Sequence, residues 1–85
     1  MSIVPNRAVV LARLKEIAPE RVNVDPKRLV SDATLADLGI DSFQFIELIF
    51  VAEEEYGIKI DLETLHAKKV EDVLDVIIAE IAKKP

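Results

Sequence analysis

Apolar residues recur with helical spacing in three parts of the chain. Val10, Leu11, Leu14, Ile17 and Ala18 fall at i, i+1, i+4, i+7 and i+8, which is one face of a helix from about Pro5 to Ala18. Pro5 suits its first turn, and Pro19 disfavours the α conformation of the residue before it, so the helix is expected to stop there. A second helix is expected from about Ser42 to Tyr56, closed by Gly57 in the left-handed position after its last turn. In a third, from about Val70 to Ala82, Val70, Val73, Leu74, Ile77, Ile78 and Ile81 share one side, and Glu71 and Asp72 favour its N-terminal dipole. The first two helices are joined by a connection of about twenty residues broken at Val24-Asp25-Pro26, long for a small domain. Val22, Val24, Leu29, Leu35 and Leu38 are expected to pin it to the bundle, with Ser31 or Asp32 starting a single turn around Ala33 to Leu38. After Gly57, Ile58-Lys59-Ile60 reads as a short extended link, and Asp61 as the cap of a brief helix through Leu65. The expected fold is all-α: a small four-helix bundle of three main helices and one short one, with a long first loop, forming a single domain over residues 1–85.

The central helix carries two apolar stripes. Phe45, Leu48, Ile49, Ala52 and Tyr56 follow the spacing of a core face. Phe43, Ile46 and Phe50 form a second stripe, displaced by roughly a third of a turn or more and flanked by Glu47 and Glu54 on one side and Glu53 on the other. Either the bundle surrounds this helix and both stripes are core, or the second is a docking surface, apolar in the middle and acidic at its rim.

Composition narrows the function. Cysteine is absent, which removes disulfides, thiolate nucleophiles and cysteine-ligated metals. Residues 1–28 carry six Lys or Arg against three acids, whereas residues 29–67 carry Lys59 alone against nine acids. That acidic middle repels nucleic acid and anionic membranes and attracts basic protein surfaces. No apolar run approaches the roughly 20 residues of a membrane span, and no signal-type segment follows a basic start. A soluble, cytoplasmic protein without membrane insertion is expected.

The start of the central helix holds the candidate chemistry. Asp41 is suited to the N-cap, with Gln44 at the capping-box spacing. Ser42 is then the first helical residue, its hydroxyl not consumed by capping and set beside free N–H groups that favour a phosphate. Gly39 is expected to let the chain turn sharply before the helix without a Cβ in the way. A serine hydrolase would need a base, but the lone histidine, His66, is expected in a short polar helix with a surface role, and no Gly-x-Ser-x-Gly elbow is present. A calcium loop beginning at Asp37 fails, because Gly39, Ser42 and Leu48 occupy positions that need a ligand, a glycine and a glutamate. No catalytic residue and no metal site are expected.

Leu35-Ala36-Asp37-Leu38-Gly39-Ile40-Asp41-Ser42-Phe43, followed by Glu47-Leu48 and Glu53-Glu54-Glu55-Tyr56-Gly57-Ile58, resembles the acyl carrier protein family and its Leu-Gly-x-Asp-Ser-Leu signature. The resemblance extends over nearly the whole chain. It implies that Ser42 carries 4′-phosphopantetheine, taken from coenzyme A by a separate magnesium-dependent transferase, and that the arm's thiol holds an acyl group as a thioester. It implies further that Asp41 caps the helix and helps the transferase recognise the site, that Glu47, Glu53 and Glu54 meet Arg and Lys on partner enzymes, and that Phe43, Ile46 and Phe50 lie on the partner-facing or pocket-lining side. The partners implied are the transferase and acyl-loading, condensing or acyltransferase enzymes with basic docking surfaces, met by a monomeric carrier that catalyses nothing itself.

Phe43 stands where the family usually has leucine, Gln44 where an acid is common, Phe50 where a smaller or more flexible residue is frequent, and Lys69 near a usual Ser or Thr. These departures point to a specialised carrier for a modified lipid, polyketide or similar product rather than the primary fatty acid carrier. The alternatives are an aminoacyl or peptidyl carrier, which shares the Ser42 chemistry, and a helical interaction module with no prosthetic group.

Overall fold

The computed structural model describes residues 4–63 and 65–84. Among the described residues three α-helices form: α1 (Arg7–Ile17), α2 (Ser42–Tyr56) and α3 (Val70–Ala82). Among the described residues the β pairing is a single antiparallel bridge between Thr34 and Lys69.

Pro5 lies before α1 rather than in its first turn. Asn6 is the N-cap, its side chain accepting the Val9 N–H. Pro19 ends the α-helix as expected, yet Ala18 keeps right-handed helical angles (φ −64°, ψ −40°), against the local preference of a residue before proline. The chain tightens into a 3₁₀ turn over Ala18–Glu20 because Ala18 is fully buried, so packing overrides the preference.

The long loop is ordered by burial. Val22, Val24, Leu29, Leu35 and Leu38 all join the core with Val10 and Leu14 of α1, Leu48 and Ile49 of α2, and Leu74 and Ile77 of α3. A second 3₁₀ turn, Pro26–Arg28, is capped by Asp25. The turn before α2 starts at Thr34 instead of Ser31 or Asp32: Thr34 Oγ1 accepts the Asp37 N–H at 3.1 Å. Its carbonyl takes the Leu38 N–H at 3.3 Å.

Ile58 and Ile60 are buried on either side of exposed Lys59, the alternation of an extended link. At the expected brief helix, Leu62 and Glu63 form a turn, with Asp61 Oδ1 accepting the Glu63 N–H at 3.0 Å. Thr64 lies outside the described residues, and Leu65 through Ala67 are irregular.

Candidate functional site

Gly39, Ile40 and Asp41 set the start of α2. Gly39 has φ +73°, a left-handed conformation that glycine adopts without strain. A Cβ placed on it meets nothing within 4 Å, so glycine is favoured here by its torsion and not by crowding. Ile40 is buried and anchors the turn. Asp41 Oδ1 then accepts the Gln44 N–H at 2.8 Å and the Asp41 carbonyl accepts that of Phe45 at 2.8 Å. The return half of the capping box does not form: Gln44 Oε1 is buried with no hydrogen-bond partner.

Ser42 is therefore the first residue of α2 and is exposed. The Asp41 cap is used on the Gln44 amide, which leaves the amides of Ser42 and Phe43 as helix-end donors without an intrahelical acceptor. A phosphate joined to the Ser42 oxygen would lie beside these donors and the positive end of the helix dipole. A cleft of about 500 Å³ opens next to it, lined by apolar Leu35, Ile40, Phe45, Ile46, Leu62 and Leu65 together with polar Asp41, Ser42 and His66. His66 is exposed. A hydroxyl, a phosphate-favouring helix end and an apolar cleft thus adjoin one another, which fits a prosthetic arm linked through phosphate and carrying an apolar cargo.

The second stripe of α2 faces outward. Phe43, Ile46 and Phe50 are 74%, 38% and 42% exposed, so the reading in which both stripes are core does not hold. The first stripe is core: Leu48, Ile49 and Ala52 are buried, with Phe45 and Tyr56 packed against them. Val51, which belongs to neither stripe as counted from the sequence, is also buried.

The acids behind Ser42 are less available than the sequence suggests. Glu54 Oε2 lies 2.6 Å from Arg21 Nη1, and Glu47 Oε2 lies 3.4 Å from Arg21 Nη2. Glu53 is turned toward the link after α2, its Oε2 accepting the Ile60 N–H at 2.8 Å. Glu55 pairs with Arg13 at 2.7 Å, and the Arg13 hydrogen bond holds the Glu55 carboxyl below the ordinary carboxylate range. Arg13 and Arg21 went unassigned in the sequence. The signal for them was the basic excess of residues 1–28 facing the acidic excess of residues 29–67, which the fold brings together.

The family model described as a phosphopantetheine attachment site matches residues 12–77. The chain is 40% identical over 79 residues to an acyl carrier protein of Thermosynechococcus vestitus, covering 91% of this chain and 98% of that one. It is 38% identical over 66 residues to an acyl carrier protein of Zymomonas mobilis, covering 76% and 82% of the two chains. The crystal structure of an acyl carrier protein from Thermotoga maritima superposes with a TM-score of 0.81 at 29% identity, covering 91% of this chain and 92% of that one. These likenesses disfavour a helical module without a prosthetic group. With the family model spanning most of the sequence, the chain belongs to the acyl carrier protein family: it is a carrier and not a catalyst, holding acyl groups for biosynthetic enzymes on a covalently attached 4′-phosphopantetheine.

Proposed function

We propose that Ser42 is the residue to which the 4′-phosphopantetheine is attached, with Asp41 holding the helix start that the transferase recognises. The observation that carries this reading is the exposed Ser42 hydroxyl at the N-terminus of α2, with unengaged amides beside it and the apolar cleft adjoining. The arm supplies a thiol on which an acyl group is held. The residues around it do the rest: Asp41 fixes the helix start, and Leu35, Ile40, Phe45 and Leu65 offer an apolar shelter for the acyl chain.

Partner enzymes dock on the outward stripe of Phe43, Ile46 and Phe50, with Glu47 and Glu54 at its rim and Glu53 beside it, its carboxylate turned toward the link after α2. Exposed aromatic residues of this size on a small domain are characteristic of contact surfaces. The bulk of Phe43 and Phe50 supports a specialised carrier for a modified lipid or polyketide-like product, acting as a cytoplasmic monomer. Among the described residues no helix is long and apolar enough to cross a membrane. A radius of gyration of 11.9 Å matches the roughly 12 Å of a compact chain of this length, which supports residues 1–85 as one unit.

Intact mass decides the attachment residue. Incubated with coenzyme A, magnesium and a broad-specificity phosphopantetheinyl transferase, the wild type gains one phosphopantetheine and Ser42→Ala gains none, while its stability stays within about 0.5 kcal/mol of wild type. Modification of a Ser42→Ala chain would move the site elsewhere.

A further inference from the structure

Each of the four glutamates of α2, Glu47, Glu53, Glu54 and Glu55, is engaged within the chain. Arg21 holds two of them: its guanidinium bridges Glu54 at 2.6 Å and Glu47 at 3.4 Å. Its backbone is fixed between buried Ala18 and Val22, and its own N–H donates to the Ala18 carbonyl at 3.0 Å. The side chain therefore starts from a rigid base rather than a mobile loop.

We propose that Arg21 is a specificity-determining residue of the docking face: it occupies, from within the chain, the place that a partner's arginine would take between Glu47 and Glu54. This inference rests on the carrier reading. A carboxylate already paired to a guanidinium offers an incoming cation only the difference between two similar bonds, and the incoming cation also meets the charge of the guanidinium it must displace. Partners that dock chiefly through basic side chains are thereby weakened. Contact then depends on Phe43, Ile46 and Phe50, and varies little with ionic strength.

The test is the KM of a transferase with a basic docking surface for wild type, Arg21→Gln, Arg21→Gln/Glu47→Gln/Glu54→Gln and Arg7→Gln, at low and physiological ionic strength. Arg7→Gln is the charge-matched control, because Arg7 pairs with Asp75 of α3 at 2.6 Å and touches no glutamate of α2. Arg21→Gln is expected to lower KM by roughly twofold or more, since two ion pairs at the surface no longer compete with the partner's cations, and to steepen the salt dependence. The triple variant returns both toward wild type, and Arg7→Gln leaves KM near the wild-type value. An unchanged KM in Arg21→Gln, or an equal shift in Arg7→Gln, overturns the proposal. The dissociation constants of Ser42→Ala and Ser42→Ala/Arg21→Gln for the same transferase repeat the comparison without group transfer. Absent transfer in every chain with that difference intact would overturn the assignment of Ser42 and leave Arg21's role standing.

Discussion

At Gly39 the chain holds a left-handed conformation, φ +73°, two residues before the cap of α2. Because the space around a Cβ there is open, substitution is opposed by the backbone alone, and Gly39→Ala is expected to cost about 1–2 kcal/mol. Gly39→Asn should cost less, since asparagine enters this region more readily than alanine. Denaturant unfolding of the two variants checks this, and an equal loss in both would mean that something other than torsion selects glycine. Sequence alone placed glycine at this turn, where the missing Cβ permits the left-handed torsion; that no distant side chain crowds the position is a tertiary fact no local pattern shows. Gln44 is similar: its spacing from Asp41 satisfies the capping-box pattern, yet its Oε1 is buried without a partner. Asp41 and Ser42 were legible because a cap needs only neighbours within the same turn.

The elements divide along the same line. α2 and α3 run as their apolar periodicity and Gly57 predict, since each signal lies within the helix it describes. How α3 starts was not legible. Lys69 offers no side-chain acceptor; instead Asp72 Oδ2 accepts the N–H groups of Lys68 and Lys69, both at 3.0 Å. Carbonyls of the long loop finish the work, Ala33 taking the Val70 N–H at 3.0 Å and Ser31 the Glu71 N–H at 2.9 Å. These partners are distant in sequence, so no local pattern announces them. The two amide bonds hold the Asp72 carboxyl below the ordinary carboxylate range, that from Lys69 contributing most and that from Lys68 next. A carboxyl with a depressed folded pKa contributes stability above its unfolded pKa and loses it as pH falls through the folded one. Asp75 beside Arg7 and Glu55 beside Arg13 are shifted the same way. The melting temperature should therefore fall progressively below about pH 5. Asp72→Ala should melt lower than wild type at neutral pH, with the gap narrowing in acid as the wild-type carboxylate is protonated. A gap that stays constant from neutral to acid pH would show that Asp72's charge has no part in capping α3.

On the scale of the whole molecule, the long loop behaves as an element of the core. Its apolar residues were visible as an unevenly spaced series with no period, which predicts burial but not a path. The path is set by what the loop must reach: hydrophobic contacts inward, the α3 amides at its far end, and the α2 acids through Arg21. The charge asymmetry has the same resolution, with Arg13 and Arg21 from the basic third pairing to Glu55, Glu54 and Glu47 of the acidic middle. If the loop is core, removing one of its anchors should cost what removing a helix residue costs. Leu29 in the loop and Leu74 in α3 are 1% and 0% exposed, so Leu29→Ala and Leu74→Ala should each lose about 2–5 kcal/mol, a large share of the roughly 5–15 kcal/mol that holds a domain of this kind together. Both should still unfold in one cooperative transition, because the loop and the helices share one cluster of buried side chains. Thermal and denaturant unfolding of the two variants side by side measures this. A Leu29→Ala chain that melts like wild type would mean that the loop can leave the bundle without unfolding it, and the turn that presents Ser42 would then rest on α2 and its cap alone.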